Sequence, residues 1–503
     1  MVRVDTGKNN GPERVTLCDI IANMIIDGEL LSDSARKTMS PGESAVSAFI
    51  SFIERRLNVT VVRELRKYTW GNPRLASAAE LAVLLQDRHI AQSFQRMSQR
   101  ADEPRLLRWN AVGFGESEHR SGGASFSIEE NALYACVAES LERYLWSEKS
   151  DYFRKPMHGT EREVGSRTPI IPVARFAGFS CEQRAQNPKL FISPETSFLW
   201  IEAVSVITGQ NVHVPAQVVS GYNDAQRTGV PAEPSIRPRI TTGLATWRDV
   251  LGARLRGALE VIERDAYMIM WLNQLVLPRI NLKDISARNA EVLRQIQSCE
   301  RYGLRVHAIR MITDAPTYAI CVVVEDTYTS SPKYSVGLKT GHSIADAILG
   351  ALSEALRARW STRHKVEQGT LWDEARPVSE IGHTERLVFW ADAGRSHKLD
   401  FLIAGQETRF TPEEWESDSD ATHLKRLVSW CKKTGYEMIS VGLDTPSNNP
   451  LPWHVEMTII PELQPMYLHE SKHVLGGTRI STIPSMFGYP ARAPYLDTPH
   501  PFA

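Results

Sequence analysis

Glu139-Ser-Leu-Glu142-Arg143 recurs 121 residues further on as Glu260-Val-Ile-Glu263-Arg264. Around the first copy stand Ala132, Leu133, Ala135, Cys136, Val137, Ala138 and Leu141, and around the second Leu251, Leu255, Leu259, Ile262 and Ala266. Both settings read as apolar helix. Positions i and i+3 fall on one helical face, so each copy projects two carboxylates the same way, one turn apart. Such a pair calls for a cation.

A lone E-x-x-E-R is common on exposed helices and signifies little. Here the pair is duplicated, embedded in apolar helix both times, and followed at once by Arg143 and Arg264. Buried carboxylates must be neutralised by protonation, by arginine or by metal. An oxygen-only ligand set suits magnesium, particularly magnesium shared with substrate phosphates.

Composition bounds the rest. The 503 residues allow two or three domains, or one large one with an extension, and 42% hydrophobic content is ordinary for a globular chain. With 58 basic and 59 acidic residues the net charge is −1, so no global field favours nucleic acid or an anionic membrane. The six cysteines are scattered without a C-x-x-C pair and read as reduced core thiols. A polar N-terminus and the lack of any long uncharged apolar run predict a cytoplasmic protein with no signal peptide and no spanning helix.

Helical spacing at Val15 to Leu31, Gly42 to Leu57 and Ser77 to Phe94, with a strand candidate at Val59 to Val62, predicts a small helical unit over residues 1–105. Ser77 and Glu80 fit a capping box. Charge and proline at Gln99 to Pro104 mark its exit, and a docking role is the default for it. The second domain, 106–503, opens with a turn at Gly122-Gly123 that leads through a Ser127 N-cap into the first motif helix; such a turn can admit a phosphate. Strands are predicted at Pro169 to Phe176, Phe198 to Ile207 and Val212 to Val219, then a surface loop at Gly221 to Pro238. Thr241-Thr-Gly243 then leads into the second motif, repeating the organisation. Three more strands precede a third apolar helix bearing Glu354 and Arg357, which suit either a structural ion pair or a site. The acidic run Glu413 to Asp420 reads as a solvated linker, and strands return at Glu437 to Leu443 and Val455 to Ile460. The chain closes on Pro499-His-Pro501-Phe-Ala503, whose prolines preset an extended segment suited to threading into a groove.

Together these features resemble the YcaO family of ATP-dependent enzymes that act on backbone amides. The resemblance covers residues 110–503. It rests on Gly122-Gly123 before the first motif, Trp200 with Val206-Ile-Thr-Gly-Gln-Asn-Val-His-Val-Pro215, and Thr242-Gly-Leu-Ala245 leading to Leu259-Glu-Val-Ile-Glu-Arg-Asp-Ala266. Ala351-Leu-Ser-Glu-Ala355 and Leu475-Gly-Gly-Thr-Arg479 complete it. It implies an α/β fold of mixed sheets with helices around a central ATP site. Glu139, Glu142, Glu260 and Glu263 would hold magnesium ions bridging the ATP phosphates, with Gly122, Gly123, Arg143, Arg264 and Glu354 at the nucleotide. Two departures stand out. Ala135 occupies the place where the family often has Ser, and the Lys often seen in the preceding Gly turn is absent.

The activity implied is cyclodehydration of Cys, Ser or Thr in a ribosomally made precursor peptide to thiazolines or oxazolines, as in bacteriocin biosynthesis. The side chain attacks the preceding carbonyl, and ATP phosphorylates the resulting oxyanion, which leaves as phosphate. The C-terminal carboxylate, here Ala503, is the candidate base, although the family's last proline is replaced there. Implied partners are the precursor peptide, a leader-binding protein and a flavin dehydrogenase in a synthetase complex, with the chain itself a homodimer. Two alternatives stay open: peptide thioamidation with a TfuA-like partner, and a non-catalytic nucleotide-binding scaffold.

Overall fold

A computed structural model describes residues 77–114, 120–147, 156–219, 233–328, 331–445 and 448–502, with two-residue strands at Val2–Arg3 and Arg14–Val15. The helices expected within residues 15–57, the strand at 59–62, most of the loop from Gly221 and the terminal Ala503 lie outside the described residues.

Helix α1 (Ala78–Asp87) starts as its sequence predicts. The Ser77 hydroxyl accepts from the Glu80 N–H, and the Glu80 carboxylate accepts from the Ser77 N–H. It stops short of Phe94 because the chain turns at His89, φ 54°, and continues as strand β1 (Ala91–Arg96). Strands β1, β2 (Leu107–Gly113) and β3 (Arg120–Ser125) form an antiparallel sheet, so residue 105 falls in a connection between two of its strands.

The turn expected at Gly122-Gly123 is instead the middle of β3. The reason is packing. A Cβ at Gly123 would lie 1.9 Å from the Ala132 carbonyl oxygen, so glycine there lets helix α2 (Glu129–Trp146) lie against the strand. Its N-cap is Ile128 and not Ser127, and the Ser125 hydroxyl accepts the Ile128 N–H at 3.2 Å.

A six-stranded antiparallel sheet comes next. It contains β4 (Met157–Thr160), β5 (Ser197–Ser205), β6 (Asn211–Pro215) and β7 (Leu244–Trp247), completed by two strands from near the end of the chain. The strand expected at Pro169 to Phe176 supplies only an Ile170–His213 bridge, since Pro169 and Pro172 offer no N–H to a ladder. Helix α3 (Val250–Leu272) is buried over most of its length and carries the second motif. Beyond it, β8 (Arg279–Ile280), helix α4 (Ala290–Arg301), β9 (Leu304–Arg310), β10 (Tyr318–Asp326) and β11 (Tyr334–Gly341) build a second large sheet. Its order is β11-β10-β9-β8-β12, with β12 at Glu407–Thr408.

Helix α5 (Ile344–Glu367) packs on β11 as α2 does on β3. A Cβ at Gly337 would lie 2.1 Å from the Ala351 carbonyl oxygen. After α6 (His383–Phe389), the acidic run expected to be a solvated linker is docked. Glu413 N–H donates to the Tyr318 hydroxyl at 2.8 Å, and Arg310 donates to the Glu413 carboxylate at 2.6 Å. Helix α7 (Asp420–Thr434) precedes β13 (Ile439–Gly442) and β14 (His454–Ile459), which insert between β5 and β7. Helix α8 (Arg479–Met486) ends the regular structure. Trp200 is fully buried, as its sequence setting predicts, and Cys136, Cys299, Cys321 and Cys431 are free buried thiols. No described helix is long and apolar enough to cross a membrane.

Candidate active site

The duplication in the sequence is a structural one, and it has a third member. In the units β3–α2, β7–α3 and β11–α5, a backbone N–H at the strand donates to a glutamate on the following helix. Gly122 N–H reaches Glu139 Oε2 at 2.8 Å, Gly243 N–H reaches Glu260 Oε2 at 2.7 Å, and Leu338 N–H reaches Glu354 Oε2 at 3.2 Å. The chain separations are 17, 17 and 16 residues, so the same loop-back is made three times. In the first two units the motif arginine, one turn along, holds the other carboxylate oxygen: Arg143 Nη2 to Glu139 Oε1 at 3.0 Å and Arg264 Nη2 to Glu260 Oε1 at 2.6 Å. Adjacent threonines finish the arrangement. Arg143 Nη1 donates to Thr241 Oγ1 at 3.2 Å and Arg264 Nη1 to Thr242 Oγ1 at 2.5 Å.

Three residues after these glutamates stand Glu142, Glu263 and Arg357. Each faces the strand of another unit. Glu142 accepts from the Thr246 N–H of β7 at 2.6 Å. Glu263 lies in the field of Lys339 on β11, and a Cβ at Gly122 of β3 would be 3.0 Å from Arg357 Nη2. The three units thus face one another around a ring.

Electrostatics sharpen the picture. Desolvation and repulsion from Glu139 and Glu260 push the Glu142 carboxyl up to about 8, against the pull of the Thr246 N–H. Desolvation and repulsion from Glu354 do the same to Glu263, also to about 8, with Lys339 opposing. Glu354 is raised by desolvation, opposed by Lys339 and Arg357. Burial works against the charge on Lys339, but the fields of Glu263, Glu354 and Glu260 outweigh it and raise its pKa. His383, at the start of α6, is driven down to about 4 by desolvation and by Arg386, Arg143 and Arg264, which leaves its imidazole neutral beside both motif arginines.

Among the described residues no three His, Cys, Asp or Glu side chains form a ready-made metal cage. Magnesium is usually held by one or two carboxylates together with substrate phosphates. The donor set is oxygen-only, and a divalent cation would offset the burial and the carboxylate repulsion that raise Glu142 and Glu263. The residues present therefore fit magnesium shared with a polyphosphate.

Residues 126–464, well over half of the chain, match the family model described as YcaO cyclodehydratase, ATP- and Mg2+-binding. The chain belongs to the YcaO family. Its fold agrees with solved members. A heterocyclase in complex with substrate and cofactor superposes with a TM-score of 0.68 at 17% identity, covering 85% of this chain and 57% of that one. YcaO from Methanopyrus kandleri bound with AMPPCP and Mg2+ gives 0.55 at 16% identity, covering 81% and 97%. The E. coli microcin synthetase McbBCD complex gives 0.53 at 13% identity, covering 74% and 88%. An uncharacterized protein of Methanothermobacter thermautotrophicus is 23% identical over 222 residues, 43% of this chain and 56% of that protein. The chain thus spans little more than half of that relative and of the first heterocyclase.

Within this YcaO chain, Glu139, Glu142, Arg143, Glu260, Glu263, Arg264 and Glu354 come together, with Gly122 beside Arg357 and Gly123 under α2. Ala135 lies against Gly123: its Cβ is 2.9 Å from where a Cβ on that glycine would be. Ala503 lies outside the described residues. Two other family-like motifs prove to be one structural joint. Arg479 of the Gly-Gly-Thr-Arg stretch forks onto Asp265, which comes directly after the second motif, at 2.8 and 2.7 Å, with both residues buried. Sequence reasoning missed Lys339, Thr241, Thr242 and His383. Threonines directly before a Gly that leads into a motif helix were the one local signal available.

Proposed function

We propose that this protein uses ATP and magnesium to cyclodehydrate Cys, Ser or Thr residues of a ribosomally made peptide to azolines. The observation that carries the reading is the ring in which three strand–helix units bring Glu139, Glu142, Glu260, Glu263 and Glu354 together, with Lys339 and Arg357 the cations at its other positions. Family membership supports the cofactors, and the neighbouring heterocyclase and microcin synthetase structures, one of the latter with pro-MccB17 bound, support a peptide substrate and partner subunits. A leader-binding protein and a flavin dehydrogenase are the partners this reading expects, with residues 1–105 as a docking module.

Glu139, Glu142, Glu260 and Glu263 would hold magnesium, which when bound screens the phosphate charge and stabilises charge developing on the transferred group. Lys339 and Arg357, neither with a carboxylate at ion-pair distance among the described residues, bind phosphate oxygens opposite the glutamates. Arg143 and Arg264 hold and aim the carboxylates of Glu139 and Glu260, each arginine held in turn by a threonine hydroxyl. In the reaction the side-chain sulfur or oxygen gives up its proton to a base and bonds to the preceding carbonyl carbon, and the carbonyl oxygen, now an oxyanion, takes the γ-phosphoryl group of ATP, giving ADP. The C–O bond then breaks, phosphate leaves, and the former amide nitrogen loses its proton as the C=N bond forms. Placing a poor nucleophile and a resonance-stabilised amide together is mainly a task of orientation and preorganised charge.

The test is to incubate the protein with ATP, magnesium, the precursor peptide encoded beside it and any encoded partner, and to weigh the peptide. A loss of about 18 Da per modified residue, matching one water removed for each amide oxygen activated, is the expected result. A gain of about 16 Da would assign thioamidation, and an unchanged peptide despite ATP binding would assign a scaffold.

A further inference from the structure

The proline-rich segment near the end of the chain does not hang free. Its residues pass from exposed at Ala491 to Pro494 to buried at Pro499, His500 and Pro501. The contacts run in order along α3. Leu496 N–H donates to the Leu272 carbonyl at 2.8 Å, the Trp271 indole N–H donates to the Thr498 carbonyl at 3.0 Å, and the rings of His500 and Phe502 meet Tyr267 at 5.8 and 5.9 Å between centroids. The segment therefore runs antiparallel to the helix, from its C-terminal end back towards the second motif. Glu263, Tyr267 and Trp271 are spaced i, i+4, i+8 on one side of α3, and Tyr267 is about 6 Å along the axis from Glu263.

Two further bonds fix the register. The Trp390 indole N–H donates to the Pro499 carbonyl at 3.1 Å, and His500 Nε2 donates to the Tyr467 carbonyl at 2.8 Å. Both indoles are buried and stand edge to face at 6.4 Å. Pro501 has no N–H, so neither an i+3 turn bond to the Thr498 carbonyl nor an i+2 bond to the Pro499 carbonyl can form, and the indoles supply donors to both. Prolines also lower the entropy lost on docking.

We propose that Trp271 and Trp390 are positioning residues: their indole N–H groups set the register of residues 496–502 so that Phe502 is held at Tyr267, one turn of α3 from Glu263. The proposal rests on the reading of Glu263 as part of the ATP and magnesium site. The segment becomes one wall of that site, and its placement matters for chemistry more than for ATP affinity.

The test uses 4-fluorophenylalanine at position 502 and manganese, a carboxylate-compatible paramagnetic substitute for magnesium. Its variants are the double substitution Trp271→Phe with Trp390→Phe, one glycine inserted between Pro499 and His500, and one glycine inserted between Pro490 and Ala491 as control, where exposed chain absorbs it. MnATP should broaden the fluorine line in the parent and the control, and the broadening should fall at least about threefold in the other two, with kcat for magnesium-dependent ATP turnover down about tenfold or more and KM for ATP within about twofold. Equal broadening and turnover in all four proteins would overturn the clamp, as would an unbroadened parent line when calorimetry shows MnATP bound. If MnATP binds none of them, the reading of the glutamates falls instead. The clamp is then judged by the fluorine shift, which must move in the double variant and the Pro499 insertion alone.

Discussion

Arg357 occupies the helical position where the first two units carry Glu142 and Glu263, and its guanidinium reaches across to Gly122 so closely that a Cβ there would stand 3.0 Å from Nη2. One position of the ring has thus exchanged an anion for a cation. Neighbouring glycines should answer very differently to alanine. Gly122→Ala crowds only two side-chain ends, Arg357 Nη2 at 3.0 Å and Asn110 Oδ1 at 3.1 Å, so KM for ATP should rise about three- to tenfold with the melting temperature nearly unchanged. Gly123→Ala forces a Cβ to 1.9 Å from the Ala132 carbonyl oxygen and should cost about 2 kcal/mol or more in chemical denaturation.

Protonation should be linked to metal binding. Burial and neighbouring carboxylates push Glu142 and Glu263 both up to about 8, far above an ordinary carboxylate, so at pH 7 the protonated form predominates in the metal-free protein. Calorimetry of MgATP binding in buffers of different ionisation enthalpy should show protons released at pH 7 and the release fading above pH 9. The double variant Glu142→Gln with Glu263→Gln should release none and lose ATP turnover.

The same shifts set the stability of the metal-free protein. A carboxyl whose folded pKa exceeds its unfolded value binds more protons in the folded state, so stability falls as pH rises from the unfolded value near 4.5 to about 8 and levels off beyond. Glu263→Gln removes part of that slope. Its melting temperature in chelator should exceed the parent's at pH 8.5 and match it at pH 4.5.

Lys339 faces Glu263, Glu354 and Glu260, and its stem crosses Gly350. Lys339→Met should raise KM for ATP about tenfold, from loss of a charged hydrogen bond to phosphate. It should also push the Glu263 proton higher still, so proton release on MgATP binding at pH 8 should grow. An unchanged KM would remove Lys339 from the phosphate site.

The Asp265–Arg479 joint is structural. Arg479 also donates to Asp314 at 2.7 Å and to the Tyr436 hydroxyl at 2.8 Å. Arg479→Met leaves Asp265 buried and unpaired and should cost about 3–5 kcal/mol by denaturant titration, with loss of activity following loss of fold.

Much of this was legible in the chain. The E-x-x-E-R pairs on two apolar helices, the Ser77 cap, Trp200 and the strands before the third helix follow from spacing and from apolar patterning, both properties of short segments. The Gly122-Gly123 pair misled because two glycines read as a turn when nothing local shows a helix lying on the strand. The acidic run at 413–420 misled for a similar reason: its partners Tyr318 and Arg310 are roughly a hundred residues distant. By itself, then, the sequence determined that carboxylates would be paired on two apolar helices, because helical periodicity acts within a few turns. Only the tertiary structure decided that Glu142 meets Thr246, that Lys339 and Arg357 close the ring, that Thr241 and Thr242 hold its arginines, and that residues 496–502 run back along α3. Each of those contacts joins residues that packing, and no local pattern, brings together.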